Sequence, residues 1–326
     1  MKLCMIGARG HSGYVTGTLP SLPDVRLTAI CAGDGSEPVV LRQTTASFQP
    51  REYLDWREML ERESPDVLSV DGPFESHAEM CVEALQRNIH VFCEKPIALS
   101  LEDLERIEKA YDGGKAKLIS MTALRYDACF FTAHKLATSG AIGEIMLIQT
   151  RKSYKLGKRP DFYKKRATYG GTISWVGSHA IDWILWFSGS EFAIVAATQT
   201  TRNNRDHGEL EVACQCQFTM KNGVLAQASL DFLRPDAAPS HGDDRIRVVG
   251  TTGVLEVAEG EVTLIDRQGK RKLEQLCKPE LAIFPSFIAS IKGQGDCLTD
   301  ARETFVLTRA CLKAQQAADE HKIIAF

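Results

Sequence analysis

Residues 1–15 read MKLCMIGARGHSGYV, and their order decides the fold of the N-terminal part of the chain. An apolar run, KLCMI at 2–6, has the length of one buried strand and stops at Gly7. Gly7, Gly10 and Gly13 then space a GxxGxxG turn ahead of a helix-like apolar run that ends near Pro20. In the order strand, glycine turn, helix, a dinucleotide pyrophosphate meets backbone N–H groups and the positive end of a helix. A glycine triplet by itself also fits a tight structural turn. The flanking elements favour nucleotide binding, with His11 and Ser12 inside the turn. Arg9 stands where the second glycine of GxGxxG usually sits, either on a phosphate, including the 2'-phosphate of NADP, or in solvent at the loop tip.

Working outward, VRLTAICA at 25–32, DVLSV at 66–70, HVFC at 90–93 and KLISM at 117–121 have the aliphatic and β-branched makeup of buried parallel strands. WREMLERES at 56–64 and HAEMCVEALQRN at 77–88 repeat apolar residues at helical spacing. Ser100 ahead of Leu101, Glu102 and Asp103 is an N-cap signal for a helix that runs to about Tyr111, before Gly113 and Gly114. The alternation is that of a doubly wound parallel Rossmann sheet. At 326 residues the chain has the length of two domains. We place the dinucleotide-binding domain at 1–122 and a substrate-binding and oligomerisation domain at 123–326. Past residue 122 a helix through AHKLATSG gives way to EIMLIQTRKSY, AIVAATQTT, LEVACQCQFTM and VLAQASLDFL, which predict an α+β domain with a large, mostly antiparallel sheet. A helix over about 299–319 closes it.

With 44% hydrophobic and 25% charged residues and a net charge of −3, the composition is that of an ordinary globular protein with no global field for nucleic acid or membrane. The N-terminal apolar run is too short for a signal peptide, and no run is long enough to span a bilayer. Ten scattered cysteines without a CxxC pair suit free thiols in a reducing compartment, so a cytoplasmic location is expected. Cys214 and Cys216 share a strand face and read as packing rather than as metal ligands; no metal is expected.

The acid that holds a ribose hydroxyl normally lies about 20 residues past the glycines, at the end of the second strand. Cys31 and Ala32 occupy that point, and Asp34 follows. The displaced acid, with Arg9 and Arg42 available, tilts the expected cofactor from NAD toward NADP. CEKPIALS at 93–100 puts Glu94, Lys95 and Pro96 at the C-terminal end of a Rossmann strand, facing the crevice where ligands bind.

These motifs, together with GPFESH at 72–77, TALRYD at 122–127, SGAIGEI at 139–145, GGTISWVGSHAIDWILWFSG at 170–189 and the strand near VVGTTGVLEV, resemble in order the Gfo/Idh/MocA superfamily (glucose-fructose oxidoreductase, inositol dehydrogenase and rhizopine catabolism) over nearly the whole chain. The resemblance implies that Pro73, His77, Glu94, Lys95 and Arg125 serve the cofactor. It also implies that Lys95 contacts the substrate hydroxyl and relays its proton, that a cis bond precedes Pro96, and that His179 is an acid/base or substrate ligand, with Asp182 three residues on either its orienting partner in the substrate site or a helix-packing residue. Where many members carry an aspartate four residues before this histidine, Trp175 stands instead, either packing or stacking on a sugar ring. The stretch RKSYKLGKRPDFYKKR at 151–166 has eight basic residues against one acid, suits an acidic substrate, and adds the hydroxyls of Tyr154 and Tyr163.

The function this implies is an NAD- or NADP-dependent oxidoreductase moving a hydride between nicotinamide and a sugar, cyclitol, sugar acid or related polyol, as a homodimer or homotetramer. Trp175 keeps open a dinucleotide-binding regulatory protein without turnover, and a biliverdin or imine-type reductase is a further alternative on the same fold.

Overall fold

KLCMI forms β1 (Lys2–Ile6), whose last four residues are all buried, as a strand packed on both faces requires. The computed structural model describes residues 1–32, 38–112 and 114–326. After β1 come α1 (Gly13–Thr16), β2 (Arg26–Cys31), α2 (Pro38–Thr45), β3 (Arg51–Tyr53), α3 (Trp56–Glu63), β4 (Val67–Val70), α4 (His77–Gln86), β5 (His90–Cys93), α5 (Leu101–Asp112) and β6 (Leu118–Ser120). The strands pair in the order β3-β2-β1-β4-β5-β6, every pairing parallel. This is the doubly wound sheet expected. The helix after the glycine turn is shorter than its apolar run suggests. Gly17 caps α1 after a single turn, and Pro20, which has no N–H to donate, opens a 3-10 turn over Leu19–Ser21.

The second set of elements is α6 (Ala128–Thr138), β7 (Ile145–Tyr154), α7 (Arg166–Tyr169), α8 (Thr172–Trp175), α9 (Gly177–Ser188), β8 (Phe192–Thr200), β9 (Ala213–Met220), β10 (Leu225–Asp231), β11 (Gly242–Gly250), β12 (Val254–Ala258), β13 (Glu261–Asp266) and β14 (Gly269–Lys272). With β15 (Ile324–Ala325) the strands pair as β14-β13-β12-β11-β7-β10-β9-β8-β15, antiparallel except for the β7–β10 pair. Alternation makes one face of this sheet apolar: in β9, Cys214, Cys216, Phe218 and Met220 are buried between more exposed neighbours. That face meets α9, which is buried nearly all round, and Trp183 of α9 stacks on Phe130 of α6 at 4.0 Å between ring centroids. Cys214 and Cys216 therefore pack in a core. Burial pushes both thiols up, Cys216 to about 12.

The compact units are Met1–Met121 with Leu281–Phe305, and Thr122–Glu280 with Val306–Phe326. A single cut at 122 thus leaves out a return of the chain. Helix α10 (Ile283–Ile291) and the start of α11 (Ala301–Glu320) belong with the first unit, where Phe284 and Phe287 lie against Phe92 of β5 at 5.2 and 5.7 Å. No helix among the described residues is long and apolar enough to cross a membrane.

Candidate active site

In the first unit the glycine turn is built against the ends of β4 and β5. Gly7 has φ +74° and donates its N–H to the Cys31 carbonyl at 2.8 Å; a Cβ there would stand 2.4 Å from the Asp71 carbonyl oxygen. The Arg9 amide donates to that same carbonyl at 2.9 Å, and the Gly10 amide donates to Asp71 Oδ1 at 2.7 Å. A Cβ on Gly10 would come within 2.7 Å of Glu94 Oε2, whereas one on Gly13 would meet nothing within 4 Å among the described residues. Asp71 has no exposed surface, and its Oδ2 has no hydrogen-bond partner among the described residues. Burial first, and then the neighbouring Glu94, push its carboxyl well up.

Glu94, also fully buried, accepts the Lys95 amide at 2.9 Å on Oε1, and its Oε2 lies 2.6 Å from His11 Nδ1. Burial alone would raise this carboxyl; His11 and then Lys95 hold it below its ordinary range. Lys95 is 4% exposed, with Nζ 3.9 Å from Glu94 Oε1, and its peptide bond to Pro96 is cis. His77 is a brace: its Nδ1 lies 2.9 Å from the Pro96 carbonyl and its Nε2 3.1 Å from that of Gly72, with no surface exposed. Pro73 is buried and precedes the 3-10 turn Phe74–Ser76 that leads into α4. The Arg9 side chain is folded down, its guanidinium 5.7 Å from the Phe74 ring and 3.5 Å from Glu75. Arg42 donates through Nε to both oxygens of Glu52 at 2.8 and 2.9 Å. Ser12 is buried at the foot of α1, and Asp34 lies outside the described residues.

In the second unit His179 is 3% exposed on α9, which starts so close to β10 that a Cβ on Gly177 would stand 2.5 Å from Leu230. Trp175 ends α8 with its ring edge-on to Tyr163 at 6.5 Å, and Tyr163 in turn lies 5.4 Å from Tyr169. Both Trp175 and Tyr163 are more than nine-tenths buried, so each is first a packing residue. Asp182 and Arg125, expected to serve substrate and cofactor, are bound to each other. Arg125 Nε donates to Oδ2 at 3.0 Å and Nη2 to Oδ1 at 2.7 Å, with both side chains buried.

Part of the basic stretch is paired with acids within the unit. Arg151 faces Asp243, Lys152 bonds Asp244 at 2.5 Å, Lys164 pairs with Asp161, and Arg166 holds Asp319 and Glu211. Sequence reasoning missed Glu211, which is fully buried and accepts the Tyr169 hydroxyl at 2.6 Å and the Thr172 amide at 3.1 Å, fixing the approach to α8. A cavity of about 860 Å³ opens beside α6 and β7, lined in part by Asp127, Phe130, Lys152, Tyr154 and Asp244. Burial lowers the Lys152 ammonium from its ordinary range, and Asp244 pulls it back up in part.

Residues 1–121 match the profile of the oxidoreductase family with an NAD-binding Rossmann fold, and residues 130–256 match that of the GFO/IDH/MocA C-terminal domain. A solved structure of an oxidoreductase from Thermotoga maritima is 43% identical, covers 100% of both chains and superposes with a TM-score of 0.95. The chain belongs to the Gfo/Idh/MocA oxidoreductase family. Inositol 2-dehydrogenase of Salmonella typhimurium is 21% identical over 97% of this chain and 93% of its own. The WlbA dehydrogenase from Bordetella pertussis, solved with NADH and UDP-GlcNAcA, has the same fold at 21% identity, covering 100% and 98%, with a TM-score of 0.82. For a family oxidoreductase, the first unit fits a dinucleotide: the glycine turn joins the end of β1 to α1, and at Gly13 no described residue comes within 4 Å of a Cβ, which leaves the open approach that a diphosphate needs. Among the described residues no group of three or more His, Cys, Asp or Glu side chains is arranged to hold a metal ion.

Proposed function

We propose that the protein is an NAD-dependent dehydrogenase acting on a secondary hydroxyl of a polyol, cyclitol, sugar or sugar acid. The observation that carries this reading is Lys95, a buried lysine beside a buried carboxylate at the carboxyl end of β5, in a unit matched by an NAD-binding family profile. NAD, when bound, supplies the ring that accepts a hydride. The amides around Gly13 hold the diphosphate, Lys95 takes the hydroxyl proton, and His179 is the second unit's substrate ligand or second acid/base.

Engagement of Arg42 by Glu52, and of Arg9 by Phe74 and Glu75, removes the arginines that favoured a 2'-phosphate, so NAD is the better reading than NADP. The match to an oxidoreductase family whose relatives include inositol 2-dehydrogenases favours a hydroxylated, polar substrate over a linear tetrapyrrole. The relatives named for inositol and for a nucleotide-linked sugar acid point the same way. Ten free cysteines suit a reducing, cytoplasmic setting. A cross-strand row on the outer face of the large sheet, Ile265, Val254, Val249, Leu147, Leu225, Thr219 and Ile194, supports a homodimer or homotetramer built on that face.

The test is a fluorescence titration with NADH and NADPH on the wild type, Lys95→Ala and His179→Ala, followed by turnover on polyols, sugars and sugar acids. NADH should bind more tightly than NADPH, and Lys95→Ala should cut kcat about 100-fold or more while cofactor still binds. A folded wild type that binds neither nucleotide sinks the proposal. Tight NADH binding with an empty substrate screen leaves the sensor reading that Trp175 keeps open.

A further inference from the structure

The glycine turn carries an imidazole that the proposed reaction has not yet used. His11 Nδ1 lies 2.6 Å from Glu94 Oε2, and its ring stacks on Tyr14 at 5.0 Å with planes 5° apart, which fixes its direction. The other oxygen of the same carboxylate is 3.9 Å from Lys95 Nζ and also holds the Lys95 amide. The glycine at position 10 lets this contact form, since a Cβ there would stand 2.7 Å from Glu94 Oε2. The His11 side chain is 34% exposed, whereas those of Glu94 and Lys95 are 0% and 6% exposed. One buried negative charge is therefore shared between a buried ammonium and an imidazole in contact with solvent.

We propose that His11 is a positioning residue that sets the basicity of Lys95 by competing with it for Glu94. The proposal rests on the reading of Lys95 as the base that takes the substrate proton. With His11 charged, Glu94 is largely compensated and its hold on the Lys95 ammonium weakens, so Lys95 gives up its proton more readily. Without His11 the carboxylate acts on Lys95 alone and keeps it charged to higher pH. The same contest runs in reverse, because coupling between two protonation sites is reciprocal.

The remaining groups around Glu94 do not substitute for His11. Asp71 is a second acid, pushed toward its neutral form by burial and by Glu94 itself. His77 faces the carbonyls of Pro96 and Gly72 and is driven toward neutrality by burial. The Arg9 guanidinium lies against Phe74 and Glu75.

The experiment has two independent readouts on the full-length protein. In the first, the His11 imidazole, assigned by its loss in His11→Gln, is titrated by NMR in the wild type, Lys95→Met and Glu94→Gln. Its midpoint should rise in Lys95→Met, where Glu94 has one fewer cation to serve, and fall in Glu94→Gln. In the second, the acid limb of kcat/KM for polyol oxidation at saturating NAD should move up by about one pH unit in His11→Gln. A His11 midpoint unmoved by both substitutions overturns the proposal whether or not a substrate is known. An acid limb that stays in place in His11→Gln also overturns it, even if the rate falls. A wild type that oxidises no polyol removes the reading of Lys95 as a base, while the NMR titration still decides whether the three groups are coupled.

Discussion

Gly10 and Gly13 occupy the same turn but answer to different demands. At Gly10 the space for a side chain is taken by the protein, since a Cβ would stand 2.7 Å from Glu94 Oε2, which meets His11, while the Lys95 amide holds the carboxylate's other oxygen. At Gly13 nothing among the described residues lies within 4 Å of a Cβ, so the fold itself sets no demand for a small residue there, and under the proposed function that demand would come from the cofactor. Gly10→Ala should therefore destabilise the folded protein by about 1–3 kcal/mol in urea unfolding, the usual cost of overpacking. Gly13→Ala should leave the unfolding midpoint nearly unchanged and still weaken NADH binding, as measured by titration. A Gly13→Ala protein that binds NADH like the wild type would move the diphosphate away from this turn. The glycines and the Glu94–Lys95 pair were legible in the sequence because they stand at the ends of recognisable apolar strands. Asp71 was not. Its partner Gly10 is 61 residues away, and a single aspartate after a strand reads as an ordinary turn residue.

Among the elements, long amphipathic and alternating segments were read within a few residues of their ends, as α3, α4, β7 and β9 illustrate. Short or uniformly apolar segments were missed. β3 is only Arg51–Tyr53 at the sheet edge, and α10, IFPSFIASI, has no polar face and carries Pro285 in its first turn, where proline is tolerated. Helix α9 was recognised, but spacing along it left Asp182 open between partner of His179 and packing residue, because Arg125, which holds its carboxylate, is 57 residues away. Burial makes that ion pair expensive to break from one side. Asp182→Ala should cost about 3–5 kcal/mol of unfolding free energy by leaving the guanidinium uncompensated. Adding Arg125→Met should return much of the loss, a comparison made by urea unfolding of the single and double variants. A single variant as stable as the wild type would show that water reaches the pair.

For the whole molecule, the large sheet has one apolar face covered by α9 and a second whose row from Ile265 to Ile194 meets solvent in the single chain. Leu225 and Ile194 in that row are 54% and 42% exposed, more than a folded chain needs to leave open. Leu225→Glu should lower the mass measured by light scattering to that of a smaller assembly without unfolding the protein. A wild type that already runs as a monomer would remove the proposed interface.

The return of residues 281–305 to the first unit has a consequence for how the protein comes into being. Phe284 and Phe287 cover Phe92 of β5, the strand that ends beside Glu94 and Lys95. A chain emerging from the ribosome has β1 to β6 in hand once residue 120 is out, yet the side chains that complete their core arrive only after most of the second unit has been made. The first unit thus waits for most of the second to be synthesised, and a gene cut after residue 121 encodes the parallel sheet without the two phenyl rings that pack on Phe92.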